Sequence, residues 1–555
     1  MTNFISIKFI KKYWVIIAIL ILASFLRFWK LGSYPALNAD EAAIGYNAYS
    51  LIQTGMDEHG HSWPIHFQSF NDYKPGLYFY LVLPFVKLLG LSELAVRIPG
   101  AFLGVLSVFL IYLLVMELFD NERFALVSAL FISISPWHIQ FSRGGWEVNT
   151  ATFFIVLGVL MFLKAVKKPS FLTFTFFLLP FTLSLYTYHA ARVVTPILAL
   201  SLLAIFHREI FDRKKIKLLV ISFSLLVILL IPLFKDLLSP GALSRVAGVG
   251  LFADPGPINR INEQRGEHGN VNSVLGKVLH NKVVNYGIEF TENWLSHYSG
   301  EFLFMSGDSI ERNKVPETGE MYLVDIVFLG FGFVFLSKKG GNSWKFIISW
   351  LVLAPIASAL TFQSPNALRA QNMVVPLTII SAFGLVELIR LFNQRNFKIG
   401  KFHGLGPWLV IIAVLWCFTR YLNMYYVHMS KIYPYSSQYG LKELVAYVSQ
   451  NQGKYKDVFV TNRYDQPYIL FLFFMKYPPQ QFQGHHTLTT RDDFGFSTVS
   501  DFDKYHFEAI DLHSLETIYP DSLVIGTPEE IPQSANIIKR IYGTNGFEYF
   551  DIVAN

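Results

Sequence analysis

The chain has 555 residues, 52% hydrophobic and 16% aromatic but only 15% charged, with a net charge of +6 and a single cysteine. A soluble domain carries about 25% charged residues, so one soluble globule is excluded, and apolar runs long enough to cross a bilayer make a polytopic membrane protein. The lysines and arginines sit in short clusters between those runs, which excludes a nucleic-acid surface, and the lone Cys417 excludes an intramolecular disulfide or a cysteine metal site.

In chain order, Lys8, Lys11 and Lys12 precede the first apolar stretch, and no small-x-small cleavage site follows it. That reads as an uncleaved signal anchor. Spans are expected at about 12–29, 94–118, 123–138, 148–166, 171–187, 191–207, 216–234, 321–337, 344–362, 371–391 and 405–424. The segment 77–90, LYFYLVLPFVKLLG, is short and holds Pro84 and Lys87. If it does not cross, the clusters KAVKKPS, HREIFDRKKIK, SKKGGNSWK and RLFNQRNFKIGK all fall on the cytoplasmic side. The expectation is therefore eleven spans, N-terminus in and C-terminus out, with 77–90 lying along the interface. Three parts then face the extracytoplasmic side: a first loop 30–76, a long loop 235–320 and the tail 425–555. In the tail, LKELVAYVSQ has the period of an amphipathic helix, DVFVTN and SLVIGT read as strands, and YILFLFFMKY as a buried helix. KRIYGTNGFEYFDIV reads as a hairpin turning at Asn-Gly. The domains expected are 1–424, membrane-embedded, and 425–555, a small α/β domain.

Chemistry concentrates in the first loop, which carries Asp40, Glu41, Asp57, Glu58, His59, His61, His66, Asp72 and Lys74. A charged loop is ordinarily a solvated surface. Asp40-Glu41 stands apart because AAIGYNAYSLIQ follows at helical spacing, with Asn38 placed to cap it. The histidines of DEHGHSWPIH lack the spacing of a defined metal geometry and read as surface residues. The other outer loops are short, yet hold Arg143 and Glu147, Tyr188, His189 and Arg192, and Arg369 and Asn372 beside span ends. Charges there are costly unless partnered or functional. Carboxylates from one loop and arginines from several suit an anionic, membrane-embedded substrate, since guanidinium forks hold phosphate and a carboxylate takes a hydroxyl proton.

The order of RFWKLGSYPALNADEAAIGYNAY, NDYKPGLYFYLVLPFVKLLG, ELAVRIPGAFLGVLSVFLIYLL and SPWHIQFSRGGWEVNTATFFIVLGVLMFLKA resembles GT-C glycosyltransferases of the protein O-mannosyltransferase type, including the aminoarabinose transferases that modify lipid A. The resemblance covers roughly 12–392 and is strongest up to 192. It implies a helical GT-C fold and transfer of a sugar from a polyprenyl-phosphate carrier. The family's acidic pair falls on Asp40 and Glu41, its phosphate-binding lysine on Lys74 and a span-end arginine on Arg192. An acidic position that is often Asp in relatives is Glu147 here, and where relatives often have Lys-Pro-Pro this chain has Lys74-Pro75-Gly76.

The expected reaction is one inverting displacement at the extracytoplasmic face of the cell membrane. Asp40 is the base, Glu41 the runner-up, and Lys74, Arg192, Arg369 and Arg143 are donor-phosphate ligands. Asp57, Glu58 and Glu147 remain candidates for contact with the acceptor or a metal. No cofactor is required, and a divalent metal is allowed but not implied. The expected partners are a polyprenyl-phosphate-linked sugar, the bilayer and an acceptor that is a protein, a lipid or a glycan, with no nucleic acid. Two rivals are a flippase of lipid-linked sugars, which should show internal repeats and mid-membrane charges, and a surface-polysaccharide polymerase or ligase.

Overall fold

The computed structural model describes every residue except 1, 71, 211, 239–247, 337, 339, 395–397, 400, 401, 404, 437 and 492–496, and the side chains of 2–12, 213–214, 398–399 and 402–403 also lie outside the description. The basic cluster at 395–401 and the side chains of Lys8, Lys11 and Lys12 therefore fall outside the described residues. The chain divides into two compact units: 1–27 with 102–142 and 147–422, and 28–101 with 143–146 and 423–555.

The first unit is helical. Among the described residues, five helices are long and apolar enough to cross a membrane, Glu93–Phe119, Glu147–Lys167, Lys215–Leu237, Gln371–Gln394 and Leu405–Ile432. A sixth span results if Glu122–Ile134 and Pro136–Ser142, bent by 58°, count as one. The other expected spans are shorter helices, such as Phe171–Leu185, Ala191–Ile205 and Asp325–Leu336. Fifteen helical residues rise roughly 22 Å, less than the ~30 Å of hydrocarbon. Helix length among the described residues thus supports five or six of the eleven expected spans, and the rest stand on their apolar runs and on loop charge.

The bend has a chemical cause. A continuing helix would need residue 136 to donate to the Ile132 carbonyl, and proline has no N–H. Arg27, fully buried, takes the loose carbonyls instead, donating to Ser133 O at 3.1 Å and Ile132 O at 3.3 Å. Elsewhere small residues set helix spacing. A Cβ on Gly384 would lie 1.8 Å from Phe328 O, and one on Gly332 would lie 2.5 Å from Ile380 O, so Asp325–Leu336 and Val374–Gln394 pack backbone to backbone.

The second unit contains the first loop and the tail. The loop gives the helix Ala39–Thr54, a hairpin of β1 (His66–Ser69) and β2 (Asp72–Pro75), and the helix Leu77–Leu89. The tail gives β3 (Asp457–Thr461), β4 (His486–Leu488), β5 (Val499–Phe502), β6 (Tyr505–Glu508), β7 (Ser522–Gly526), β8 (Ile537–Tyr542) and β9 (Glu548–Ala554). They form one sheet in the order β8-β9-β7-β3-β6-β5-β4, with β3 parallel to β6 and β7 and the other pairs antiparallel. The expected elements are present: an amphipathic helix at Leu441–Asn451, a buried helix at Pro467–Met475 and a hairpin around Asn545-Gly546.

The sequence boundary at 424/425 does not divide this core. Ala42, Ala43, Phe67, Phe79 and Val82 from the loop and Val460, Phe471, Phe473 and Ile525 from the tail form one buried cluster. Gly45 shows how close the approach is, for a Cβ there would meet Phe473 at 2.5 Å and Val96 at 2.7 Å. Leu77–Leu89 buries Tyr78, Phe79, Val82 and Val86 in the same cluster, a seat that its apolar 13 residues could not predict.

Candidate active site

The helix Ala39–Thr54 opens with a capping box. The Asn38 side chain accepts from Glu41 N–H at 3.0 Å, and the Glu41 carboxylate accepts from Asn38 N–H at 3.4 Å. Each acid also lies in the first turn, where the helix dipole favours negative charge. From this shared start the two acids diverge, because consecutive helical residues point about 100° apart.

Glu41 points into the protein and is 1% exposed. Arg97 grips it with both arms, Nε to Oε1 and Nη2 to Oε2, each at 2.7 Å. The Gly145 N–H adds a third bond at 2.8 Å, and Asn38 Nδ2 a fourth at 3.2 Å. Arg97 completes its set on the carbonyls of Leu31, Pro35 and Ala36 at 2.8–3.1 Å. All five guanidinium N–H groups are thereby placed. This is a structural clamp: it ties the start of the helix to the chain that enters it, and it occupies both carboxylate oxygens. Sequence reasoning missed Arg97, although the quoted VRIPG displays it. An arginine at the head of a span needs a buried partner, and the acidic pair was the available one.

Asp40 faces outward with 21% of its side chain exposed. Lys74 donates to its Oδ1. Lys74 stands on β2 opposite Phe67, and its ammonium lies 4.9 Å over the Phe70 ring. The hairpin fixes the lysine and the capped helix fixes the acid. The Lys-Pro-Gly departure also has a reason. Gly76 N–H donates to Ile65 O at 2.9 Å, which proline cannot do, and a Cβ there would lie 2.7 Å from that oxygen.

The remaining loop residues correct the solvated-surface reading. Asp57 and Glu58 are fully buried, Asp72 and Lys74 nearly so. Asp57 accepts from the N–H groups of His59 and His61 at 2.9 and 2.8 Å, an Asx-type turn closed by its own side chain. Burial, with Asp57 beside it, pushes the Glu58 carboxyl up to about 8, and burial next to His486 pulls His59 down to about 3. Their 3.6 Å contact is therefore between neutral groups at pH 7. His59 and His66 are buried and not surface histidines. The His59 ring meets the tail through Nδ1 and His486 Nε2 at 3.2 Å, a partner 427 residues away that local sequence cannot show. Among the described residues, no group of three or more His, Cys, Asp and Glu is placed to hold a metal ion.

Arg143, also in the second unit, is fully buried and donates to Tyr425 Oη at 3.0 Å and to the carbonyls of Trp29 and Tyr34 at 2.8 and 3.2 Å. These contacts hold the loop's entry to the tail's first turns. Asp40, Glu41, Lys74, Asp57, Glu58 and Arg143 thus share one unit, while Glu147, Arg192 and Arg369 belong to the other.

In the first unit, Glu147 is buried at the first position of Glu147–Lys167. Arg369 holds its loop, with Nη1 on Thr361 Oγ1 at 2.7 Å and Nη2 on Gln363 Oε1 at 3.2 Å. Arg192 is different. The helices Glu147–Lys167, Phe171–Leu185, Ala191–Ile205 and Arg213–Leu237 surround a cavity of about 640 Å³ walled by residues such as Phe162, Phe181, Leu202 and Phe234, and Arg192 is the one charged residue among its described lining. Its Nε donates to Leu185 O at 3.2 Å.

The described residues thus form a multi-pass helical body, a capped acidic pair beyond the first helix and a mixed sheet in the tail. Residues 73–232 match the family described as dolichyl-phosphate-mannose-protein mannosyltransferase. ArnT of Cupriavidus metallidurans in its apo state superposes with a TM-score of 0.56 at 9% identity, over 97% of this chain and 97% of that one. The same protein bound to undecaprenyl phosphate gives 0.54. The apo oligosaccharyltransferase of Archaeoglobus fulgidus gives 0.50 at 14% identity, over 84% of this chain, and the chain spans only 64% of that protein's length. No curated protein matches the sequence. The helical fold with a sheet-bearing tail read from sequence is therefore borne out, apart from its count of eleven spans.

Proposed function

We propose that this protein is a glycosyltransferase that moves a sugar from a polyprenyl phosphate to an acceptor hydroxyl at the extracytoplasmic face, with inversion. The observation that carries the reading is the division of labour within the acidic pair: Glu41 is buried and saturated by Arg97, and Asp40 is partly exposed and held by Lys74.

The chemistry follows from that. The acceptor oxygen attacks the anomeric carbon, the bond from that carbon to the phosphate oxygen breaks, and the acceptor proton passes to Asp40. Polyprenyl phosphate leaves with the bonding electrons. Phosphate is a fair leaving group, so offsetting its charge matters most. Lys74 does this as an ammonium. Before donor binds, Lys74 neutralises Asp40 and keeps it a weak base. Phosphate competing for Lys74 releases the carboxylate to take the proton, so the base becomes active only when donor is present. The cavity around Arg192 suits a prenyl chain ending in phosphate, apolar along its walls with one cation. The Cupriavidus neighbour's bound undecaprenyl phosphate supports the same carrier chemistry.

The loop and tail share one core, so they lie on one side of the membrane. That requires an even number of crossings between them, which the ten spans expected from 94 to 424 would provide only if 77–90 does not cross. An extracytoplasmic site has no access to cytoplasmic nucleotide sugars. The decisive test is reconstitution with a synthetic polyprenyl-phosphate sugar. Transfer with inversion at the anomeric carbon is expected, and efficient transfer from a nucleotide sugar with no lipid intermediate would overturn the proposal.

A further inference from the structure

The tail carries a second candidate site. A surface groove of about 700 Å³ lies in the second unit, within the range of small-ligand sites. Its lining includes Tyr435, Tyr464, Tyr542, Phe547, Arg463, Glu529 and Glu548. Three of the four rings are exposed, Tyr435 by 47%, Tyr542 by 51% and Phe547 by 67%. Large rings left in water on one rim mark a binding surface more than a packing defect.

The rings are held. Tyr435 stacks on Tyr464 at 5.8 Å between centroids and 21° between planes. Tyr542 and Phe547 flank the β8–β9 turn, where Gly546 takes φ +84, and Tyr542 pairs in register with Glu548, its Oη 3.3 Å from Oε1. Between the rings stand carboxylates and a guanidinium: Arg463 pairs with Glu529, and its Nε lies 3.4 Å from Glu530 Oε1. The groove therefore offers flat apolar faces beside polar groups that can both donate and accept. A lipid surface asks for continuous apolar area with surplus cations, and here Arg463 is offset by its acids. A sugar ring asks for what is present: its C–H face lies on an aromatic ring while its hydroxyls bond to carboxylate and guanidinium.

We infer that this groove binds a glycan and presents it as acceptor. The acceptor role rests on the transferase reading, whereas glycan binding does not. The test uses the full chain in maltoside-free nanodiscs, because a maltoside detergent is itself a sugar. The discs are applied to an array of defined oligosaccharides of hexoses, N-acetylhexosamines and uronic acids, alongside random peptides. The wild type should bind a subset of the oligosaccharides. Tyr542→Ala and Phe547→Ala, both at exposed positions, should each weaken binding about tenfold, and Glu529→Gln should shift which sugars bind. Hydrolysis of polyprenyl-phosphate sugar to water should be unchanged in all three, while transfer to a bound oligosaccharide falls. No oligosaccharide bound by the wild type, equal binding by the variants, or binding of peptides instead would overturn the inference. Groove-dependent glycan binding with no turnover of polyprenyl-phosphate sugar would instead sink the transferase reading and leave the groove standing.

Discussion

Adjacent acids with opposite surroundings should fail in opposite ways. Glu41→Ala removes the acceptor for two Arg97 N–H groups and for Gly145 N–H. It leaves a guanidinium of 0% exposure with three carbonyls and without its bidentate carboxylate. Breaking a buried pair from one side costs about 3–5 kcal/mol, a large part of a total stability of about 5–15 kcal/mol. Asp40→Asn keeps the side chain's shape and an amide oxygen for Lys74, and it loses a pair less buried than Glu41–Arg97, so its stability cost should be the smaller of the two. It removes a general base, which costs about 10²–10⁴ in rate. Both variants are purified into nanodiscs and assayed for thermal midpoint, monodisperse yield and turnover. Glu41→Ala should lower midpoint and yield, whereas Asp40→Asn should preserve both and lose turnover. The double variant Glu41→Leu with Arg97→Met should recover part of the midpoint, because replacing both partners removes the stranded charge. An unchanged midpoint in Glu41→Ala, or near wild-type turnover in Asp40→Asn, would refute the division of roles.

Lys74→Ala should slow donor turnover more than acceptor saturation, by about 10-fold or more for a charge-assisted bond of about 1.5–3 kcal/mol; unchanged KM and kcat for donor would remove its phosphate role. Arg192→Ala should weaken use of long-chain more than short-chain polyprenyl donors, read from donor KM, and equal loss for both would separate Arg192 from the apolar cavity. Glu58 has a raised carboxyl, so its contribution to stability is complete below about 4.5 and is lost as pH rises through about 8; the midpoint of Glu58→Gln minus that of wild type should therefore increase between pH 5 and 9, and a flat difference would show that Glu58 is charged in the folded protein. Gly45→Ala should cost about 1–3 kcal/mol by forcing a Cβ onto Phe473 and Val96, seen as a lowered midpoint; a midpoint equal to wild type would mean loop and tail are not so tightly joined. A C-terminal alkaline phosphatase fusion should be active and a green fluorescent protein fusion dark, and the reverse would put the tail in the cytoplasm and end the eleven-span topology.

The sequence by itself determined what depends on neighbours along the chain. Apolar runs marked the helices, Asn38 marked a capped start at the acidic pair, and the residues around Asn545-Gly546 marked a hairpin. These signals are local, because helix and turn hydrogen bonds link residues only a few positions apart. Asp40 as the exposed acid was legible in part, since the pair and its placement were visible but not which member faces solvent. That was decided by Arg97, 56 residues away from Glu41, and by a hairpin that carries Lys74 to Asp40 across 34 residues. The burial of His59 and Glu58 was illegible for the same reason. Their charged, histidine-rich segment has the composition of a surface loop, and only the packing of tail residues such as His486 against it removes the water. Local chemistry chose the elements, and long-range packing decided which polar groups lost their solvent and which kept it for a substrate.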